Sequence, residues 1–139
     1  ILKDDIDASD GDLYLMTHTT NPLLSTQTIT SAIDHHHAAT DKDSLFTVNK
    51  VQTRFYRDDC SAVNHDPDNL IRTQDLEPWY EENSCLFIFT KESFKSTNAR
   101  IGKTPTMFET PALESIDIDE PADWMMAEAL AEYFQRKEQ

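Results

Sequence analysis

The chain has 139 residues, with 12 basic against 26 acidic side chains and a net charge of −14 when histidine is neutral. That length fits one domain, and the acidic balance argues against a general nucleic-acid or anionic-membrane surface, so an anionic ligand needs a local basic pocket or a metal. Two cysteines, Cys60 and Cys85, match neither a zinc spacing nor a disulfide framework; with no apolar run near the ~18 residues of a membrane span and no signal-peptide layout at the N-terminus, a soluble cytoplasmic protein is the expectation.

In chain order, residues 1–11 are acidic and aperiodic and read as a loop or the tail of an earlier element. Leu13-Tyr14-Leu15-Met16-Thr17 is a continuous apolar run, predicted to be a strand in the middle of a sheet covered on both faces. His18-Thr19-Thr20-Asn21-Pro22 follows as a hydroxyl- and amide-rich turn at a strand C-terminus, the edge where open α/β sheets place ligands; an ordinary Asn-Pro turn is the alternative. Ser25 or Thr26 caps a predicted helix ending near Ala39, with Ile29, Ala32, Ile33 and His36 on one face. His35-His36-His37 fans around that helix rather than taking the i, i+4 spacing of a helical metal pair, so an exposed or half-buried polar face is predicted.

Ser44 to Val48 reads as a second strand. Val51 to Pro78 is sparse in apolar residues and rich in turn formers, which predicts an irregular arm or hairpin outside the core. Its Arg54, Arg57 and Arg72 suit a carboxylate or phosphate ligand, or surface pairing with the neighbouring aspartates. Ser84 to Phe89 should be a buried strand, Thr90 should cap a short helix ending near Thr97, and Pro105 to Glu109 should be an outer strand. The last helix runs from Pro121 to about Arg136, with Met126, Leu130, Tyr133 and Phe134 predicted on its buried face. Just ahead of it, Asp117 and Asp119 alternate with apolar neighbours and so point the same way, either as a magnesium corner or as a solvated strand end and a helix cap. The class is α/β, with an arm inserted at about 51–82.

Arg72-Thr73-Gln74-Asp75-Leu76, followed by Pro78, Trp79, Tyr80 and Asn83 before an apolar strand, resembles a signature of the acylneuraminate cytidylyltransferases, the CMP-sialic acid synthetase family. Thr20-Asn21-Pro22-Leu23 is similar to that family's strand-end turn, and Ile116-Asp117-Ile118-Asp119 to its Asp-Ile-Asp ahead of the last helix. The three motifs fall in the family's order, and the resemblance covers about Asp12 to Leu130. His18 stands where the family commonly has Gln, Leu24 where an Arg often follows, and Ser84 where Gly is usual after Asn83. The family's opening strand and its triphosphate-holding loop have no counterpart, so the chain looks like the C-terminal portion of a longer enzyme, one expected not to bind nucleotide by itself.

The resemblance implies a Rossmann-like nucleotidyltransferase sheet, partial here, and transfer of CMP from CTP to a sialic-acid-like ulosonic acid with release of pyrophosphate. Asp117 and Asp119 would be the catalytic pair and the magnesium ligands. Gln74, Tyr80, Asn83, Thr20 and His18 would meet substrate, and Arg72 or an arginine of the arm its carboxylate. The arm would cross a two-fold axis in a homodimer, for which Phe55, Tyr56 and Trp79 offer an interface. A non-catalytic sugar-binding or dimerising fragment, or a cytidylyltransferase for a different ulosonic acid, is the competing reading.

Overall fold

In the computed structural model, which describes residues 1–137, the apolar runs become β1 (Leu13–Thr17), β2 (Ser44–Val51), β3 (Trp79–Thr90) and β4 (Pro105–Glu109), joined in one sheet of order β1-β3-β2-β4. β1 lies antiparallel to β3, with Leu13 opposite Thr90 and Thr17 opposite Leu86. β2 and β4 are parallel, with Ser44 opposite Pro105 and Val48 opposite Glu109. Between β3 and β2 the contacts run from Asp43 with Thr90 through Thr47 with Leu86 to Asn49 with Asn83, one number rising as the other falls, so β3 opposes both neighbours. The C-terminal ends of β1, β2 and β4 therefore share one edge with the first half of β3.

The run Cys85-Leu86-Phe87-Ile88-Phe89 has no solvent exposure, because both faces of β3 are covered. Phe87 and Phe89 pack with Ile6 and Phe94 on one face; Leu86 and Ile88 pack with Ala32 and Leu45 on the other. Helix α1 (Leu2–Ala8) and helix α3 (Lys91–Thr97) supply Ile6 and Phe94, and α2 (Thr26–Ala38) supplies Ala32. The predicted caps are present: Ser25 accepts from the Thr28 N–H and Thr90 from the Ser93 N–H.

Four expectations are corrected. The first residues form α1 rather than a loop, since Leu2 and Ile6 make an i, i+4 pair against the Phe87–Phe89 core and Asp4 and Asp5 favour the helix start. β1 is a margin of the sheet among the described residues, and its Leu13 and Leu15 are 39% and 42% exposed. His36 lies on the face of Ala32, as its spacing predicts, but is buried at 7% exposure rather than exposed or half-buried, while His35 and His37 are exposed. On α4 (Pro121–Lys137) the buried residue is Ala127, while Met126 and Tyr133 are 52% and 43% exposed.

The chain divides into two compact units, one built from Ile1–Asn49 and the chain from Glu82 onward, the other being Lys50–Glu81. The second has little regular structure: a bridge between Tyr56 and Ala62 and a 3-10 turn at Thr73–Asp75. Side chains hold it instead. The Gln52 amide donates to the Gln74 and Leu76 carbonyls at 3.1 and 2.8 Å, Asn64 joins Phe55 N to the Thr53 carbonyl, and Phe55 stacks on Trp79 at 5.3 Å. No described helix is long and apolar enough to cross a membrane.

Candidate functional site

At the C-terminal end of β1 the chain turns through His18 to Pro22 and is stitched to the segment ahead of α4. Ile118 N–H donates to the Thr20 carbonyl at 2.9 Å, and the Asn21 amide donates to the Ile116 carbonyl at 3.2 Å. Glu114 reaches from the same segment to accept the Ser25 N–H at 2.9 Å, at the start of α2. Asp117 thus lies between two residues that are each tied to the turn.

The segment is anchored from its other side by Asn83. Its amide nitrogen donates to Asn49 Oδ1 at 2.9 Å and to Thr110 Oγ1 at 2.6 Å, while its own oxygen accepts the Cys85 N–H at 3.2 Å. Thr110 in turn shares a 2.7 Å hydrogen bond with Ser115 and donates its N–H to the Val48 carbonyl. Ser84, directly after Asn83, has φ of 56°, the left-handed region that favours glycine.

Asp117 is half-buried, and its Oδ1 is shielded from solvent with no hydrogen-bond partner among the described residues; Asn21 Oδ1 is in the same condition. Buried acceptors are ordinarily paired, so these two oxygens are the polar atoms of the corner open to a further donor or cation. The Asp117 charge is felt at Cys85: burial first, then Asp117 and Glu114, push that thiol up to about 11, which keeps it protonated and unsuited to nucleophilic work. Asp119 is exposed, and the helix entry is braced by Asp123, whose Oδ2 accepts from Asp119 N at 3.1 Å and Glu120 N at 2.8 Å. That is the returning half of a capping box, with Glu120 in the cap position and Pro121 opening the helix.

Two grooves flank this segment. One, of about 350 Å³, is lined by Thr19, Pro22, Leu23, Ile118, Trp124 and Ala127 among others. The other, of about 620 Å³, includes Asn49, Ser115, Ile116, Met126 and Leu130. Both are mainly apolar, suited to the body of a ligand whose polar groups turn toward the corner.

Of the sequence-predicted residues, His18, Thr20, Asn83, Asp117 and Asp119 belong to the first unit and gather at this edge. Arg72, Gln74 and Tyr80 belong to the second. There, Arg72 forms a two-pronged pair with Asp75 at 2.7 and 3.1 Å, Gln74 is exposed with its carbonyl taken by Gln52, and Tyr80 is 46% exposed. Sequence reasoning missed Glu114, Thr110 and Arg100. Arg100 follows α3 and places its guanidinium 4.1 Å above the Phe87 ring, with one nitrogen 3.0 Å from His18 Nε2. Among the described residues no group of three or more His, Cys, Asp or Glu side chains gathers around a metal position. Magnesium commonly takes one or two carboxylates and fills the rest of its shell with water and substrate phosphates, and a buried, unpaired carboxylate oxygen fits that demand.

No model of a known protein family matches the chain, and no curated protein sequence matches it. Among solved structures, the crystal structure of a 4-diphosphocytidyl-2C-methyl-D-erythritol synthase from Anaerococcus prevotii is similar, with a TM-score of 0.58 over 96% of this chain at 15% identity. The match takes in 64% of that protein's chain, so this chain spans less than two thirds of its length. The likeness establishes a shared α/β fold.

Proposed function

We propose that the chain carries the metal and acceptor corner of a cytidylyltransferase, which moves CMP from CTP to an acidic, sialic-acid-like ulosonic acid. The observation that carries this reading is Asp117 Oδ1, an unpaired carboxylate oxygen buried at the strand-end edge. The shared fold supports it, since the similar synthase is named for a diphosphocytidyl product. The order of the three sequence motifs supports it as well.

In the reaction, a sugar hydroxyl attacks the α-phosphorus of CTP, the new oxygen–phosphorus bond forms, and the bond to pyrophosphate breaks. Asp117 and Asp119 would hold magnesium, which when bound neutralises phosphate charge and favours ionisation of the hydroxyl. The protein's own share is positioning. Asn83 and Thr110 fix the segment that carries Asp117, Asn21 and Thr20 fix its distance from β1, and His18 and Thr20 offer polar atoms at the turn. Gln74, Tyr80 and Arg72 are assigned to the sugar, with Arg72 exchanging Asp75 for the substrate carboxylate. A homodimer, in which the arm serves the neighbouring subunit, belongs to the same proposal.

The test is pyrophosphate release by the complete protein, with whatever its coding sequence places before Ile1, in the presence of CTP, magnesium and a panel of ulosonic acids together with a phosphorylated polyol. Turnover of one acid is expected, with Asp117→Asn lowering it on the order of 100-fold, as removal of a metal ligand does. Turnover of the polyol alone would move the acceptor away from ulosonic acids. No pyrophosphate release with any acceptor, or an unchanged Asp117→Asn enzyme, would end the reading.

A further inference from the structure

We infer that Arg100 is the anion-gripping residue of the β1-end corner, held by Phe87 and His18 so that its free N–H groups meet a carboxylate or phosphate of the ligand. It rests on reading that corner as a substrate site, and its test is separable from that reading. The chain has 26 acidic side chains to 12 basic ones, yet none of the ion pairs among the described residues includes Arg100. Arg72 and Arg136, by comparison, are spent on Asp75 and Glu132.

Arg100 is half-buried and oriented rather than loose. Its guanidinium carbon sits 4.1 Å from the centroid of the fully buried Phe87 ring, a stacking that orders the group while leaving its edges open. Its one hydrogen bond among the described residues goes to His18 Nε2 at 3.0 Å. Arginine only donates, so Nε2 accepts and the His18 proton resides on Nδ1. A neutral acceptor fixes the fork without cancelling its charge. A guanidinium has five N–H donors, and those not directed at His18 have no protein acceptor among the described residues.

Placement supplies the rest. His18 directly follows β1, and two residues later Thr20 pairs with Ile118, next to Asp117. A corner that handles anionic substrates needs a cation at its edge, and His18 fixes Arg100 there. His18 acts through Arg100 as a positioning residue.

The experiment titrates the 139-residue chain with pyrophosphate and, in a separate arm, with pyruvate, following the Arg100 Nε–Hε and His18 ring signals by NMR. Saturable shifts of both signals are expected from at least one anion, and the arm that responds tells a phosphate ligand from a carboxylate. Arg100→Gln should weaken that binding at least tenfold, the loss typical of a charged hydrogen bond, with Arg100→Lys intermediate and the melting temperature of both variants near wild type. Silence of both signals toward both anions, or undiminished binding by Arg100→Gln, overturns the inference. If Arg100→Gln loses anion binding while the complete protein shows no CTP turnover, the cytidylyl-transfer reading fails and the anion site stands.

Discussion

Gly102→Ala tests how the sheet's other end is closed. A Cβ at Gly102 would lie on Ser93 Oγ and Asp43 Oδ1, and 2.5 Å from Asp43 Cγ. The Asp43 carboxylate cannot swing aside freely, because it accepts from Lys103 N at 2.8 Å, Thr104 N at 3.2 Å and the Ser44 hydroxyl at 3.0 Å. Gly102 N–H is itself bonded to the Ser44 oxygen at 2.8 Å. Displacing the carboxylate by an ångström would break or lengthen two of these bonds, at about 1.5 to 3 kcal/mol each for a charged acceptor. Partial relaxation leaves a loss of about 3 kcal/mol, or roughly 10 °C in Tm for a chain of this size.

The same carboxylate gives the assay a second readout. Burial alone would raise its pKa, but the bonds from Lys103, Ser44 and Thr104 outweigh burial and hold it below the usual value. The unfolded chain then takes up the proton first, so the stability Asp43 contributes is present above its unfolded pKa and lost as pH falls toward the lower folded one. Urea unfolding should therefore show a lower midpoint in Gly102→Ala and a smaller acid-linked loss below pH 4. A variant within about 0.5 kcal/mol of wild type, with an unchanged acid limb, would refute the argument.

Three further changes can be checked by the same denaturation measurements. Ser84→Gly removes a left-handed Ser, which costs about 1 kcal/mol, against roughly 0.5 kcal/mol for glycine's extra chain entropy; a small rise in stability is expected, and a fall would mean that the Ser84 side chain does work not visible in its backbone angle. Thr47→Val keeps the shape but removes a hydroxyl that accepts from Leu86 N at 3.0 Å and donates to its carbonyl at 3.2 Å; stranding both buried groups should cost about 2 to 4 kcal/mol, and a neutral result would show that β3 re-pairs elsewhere. His36 is held below its usual pKa by burial and then by His37 and His35, with Asp43 pulling the other way, and neither ring nitrogen has a hydrogen-bond partner among the described residues. The unfolded chain therefore binds the proton first, stability is full above pH 6.5, and it declines as pH falls from there toward the folded value; His36→Gln should flatten that decline, and a flat wild-type profile would refute it.

What could be read from the sequence was the local physics. Cys85 to Phe89 announced a doubly covered strand because no polar residue interrupts it, and Ser25 and Thr90 announced helix starts because a cap acts within three residues. α1 was hidden because a seven-residue helix with two apolar contacts has hardly any period to detect. The α4 stripe was misplaced because large apolar residues were weighted over Ala127, the residue that the fold buries. His36 was placed on the face of Ala32 by its spacing, and only its polarity led to a half-buried rather than a buried position. At the site, Asp117 and the turn were legible as motifs, but Glu114, Thr110 and Arg100 act across the fold on Ser25, Asn83 and His18, and such partnerships leave no spacing in the chain.

Asn83 shows why the legible and hidden parts belong together. One amide nitrogen ties the end of β2 through Asn49 to the exit of β4 through Thr110, and its oxygen folds back on the Cys85 N–H. That backward reach requires a sharp change of direction in the chain between residues 83 and 85, which the left-handed Ser84 supplies. From Thr110 the constraint passes to Ser115, then along the segment to Ile116 and Ile118, which the turn after β1 grips from the other side. The backbone on both sides of Asp117 is thus fixed at the edge where the parallel strands end, with its Oδ1 shielded from solvent. A carboxylate whose backbone is fixed on both sides loses little conformational freedom when a ligand engages it, which is what preorganisation requires.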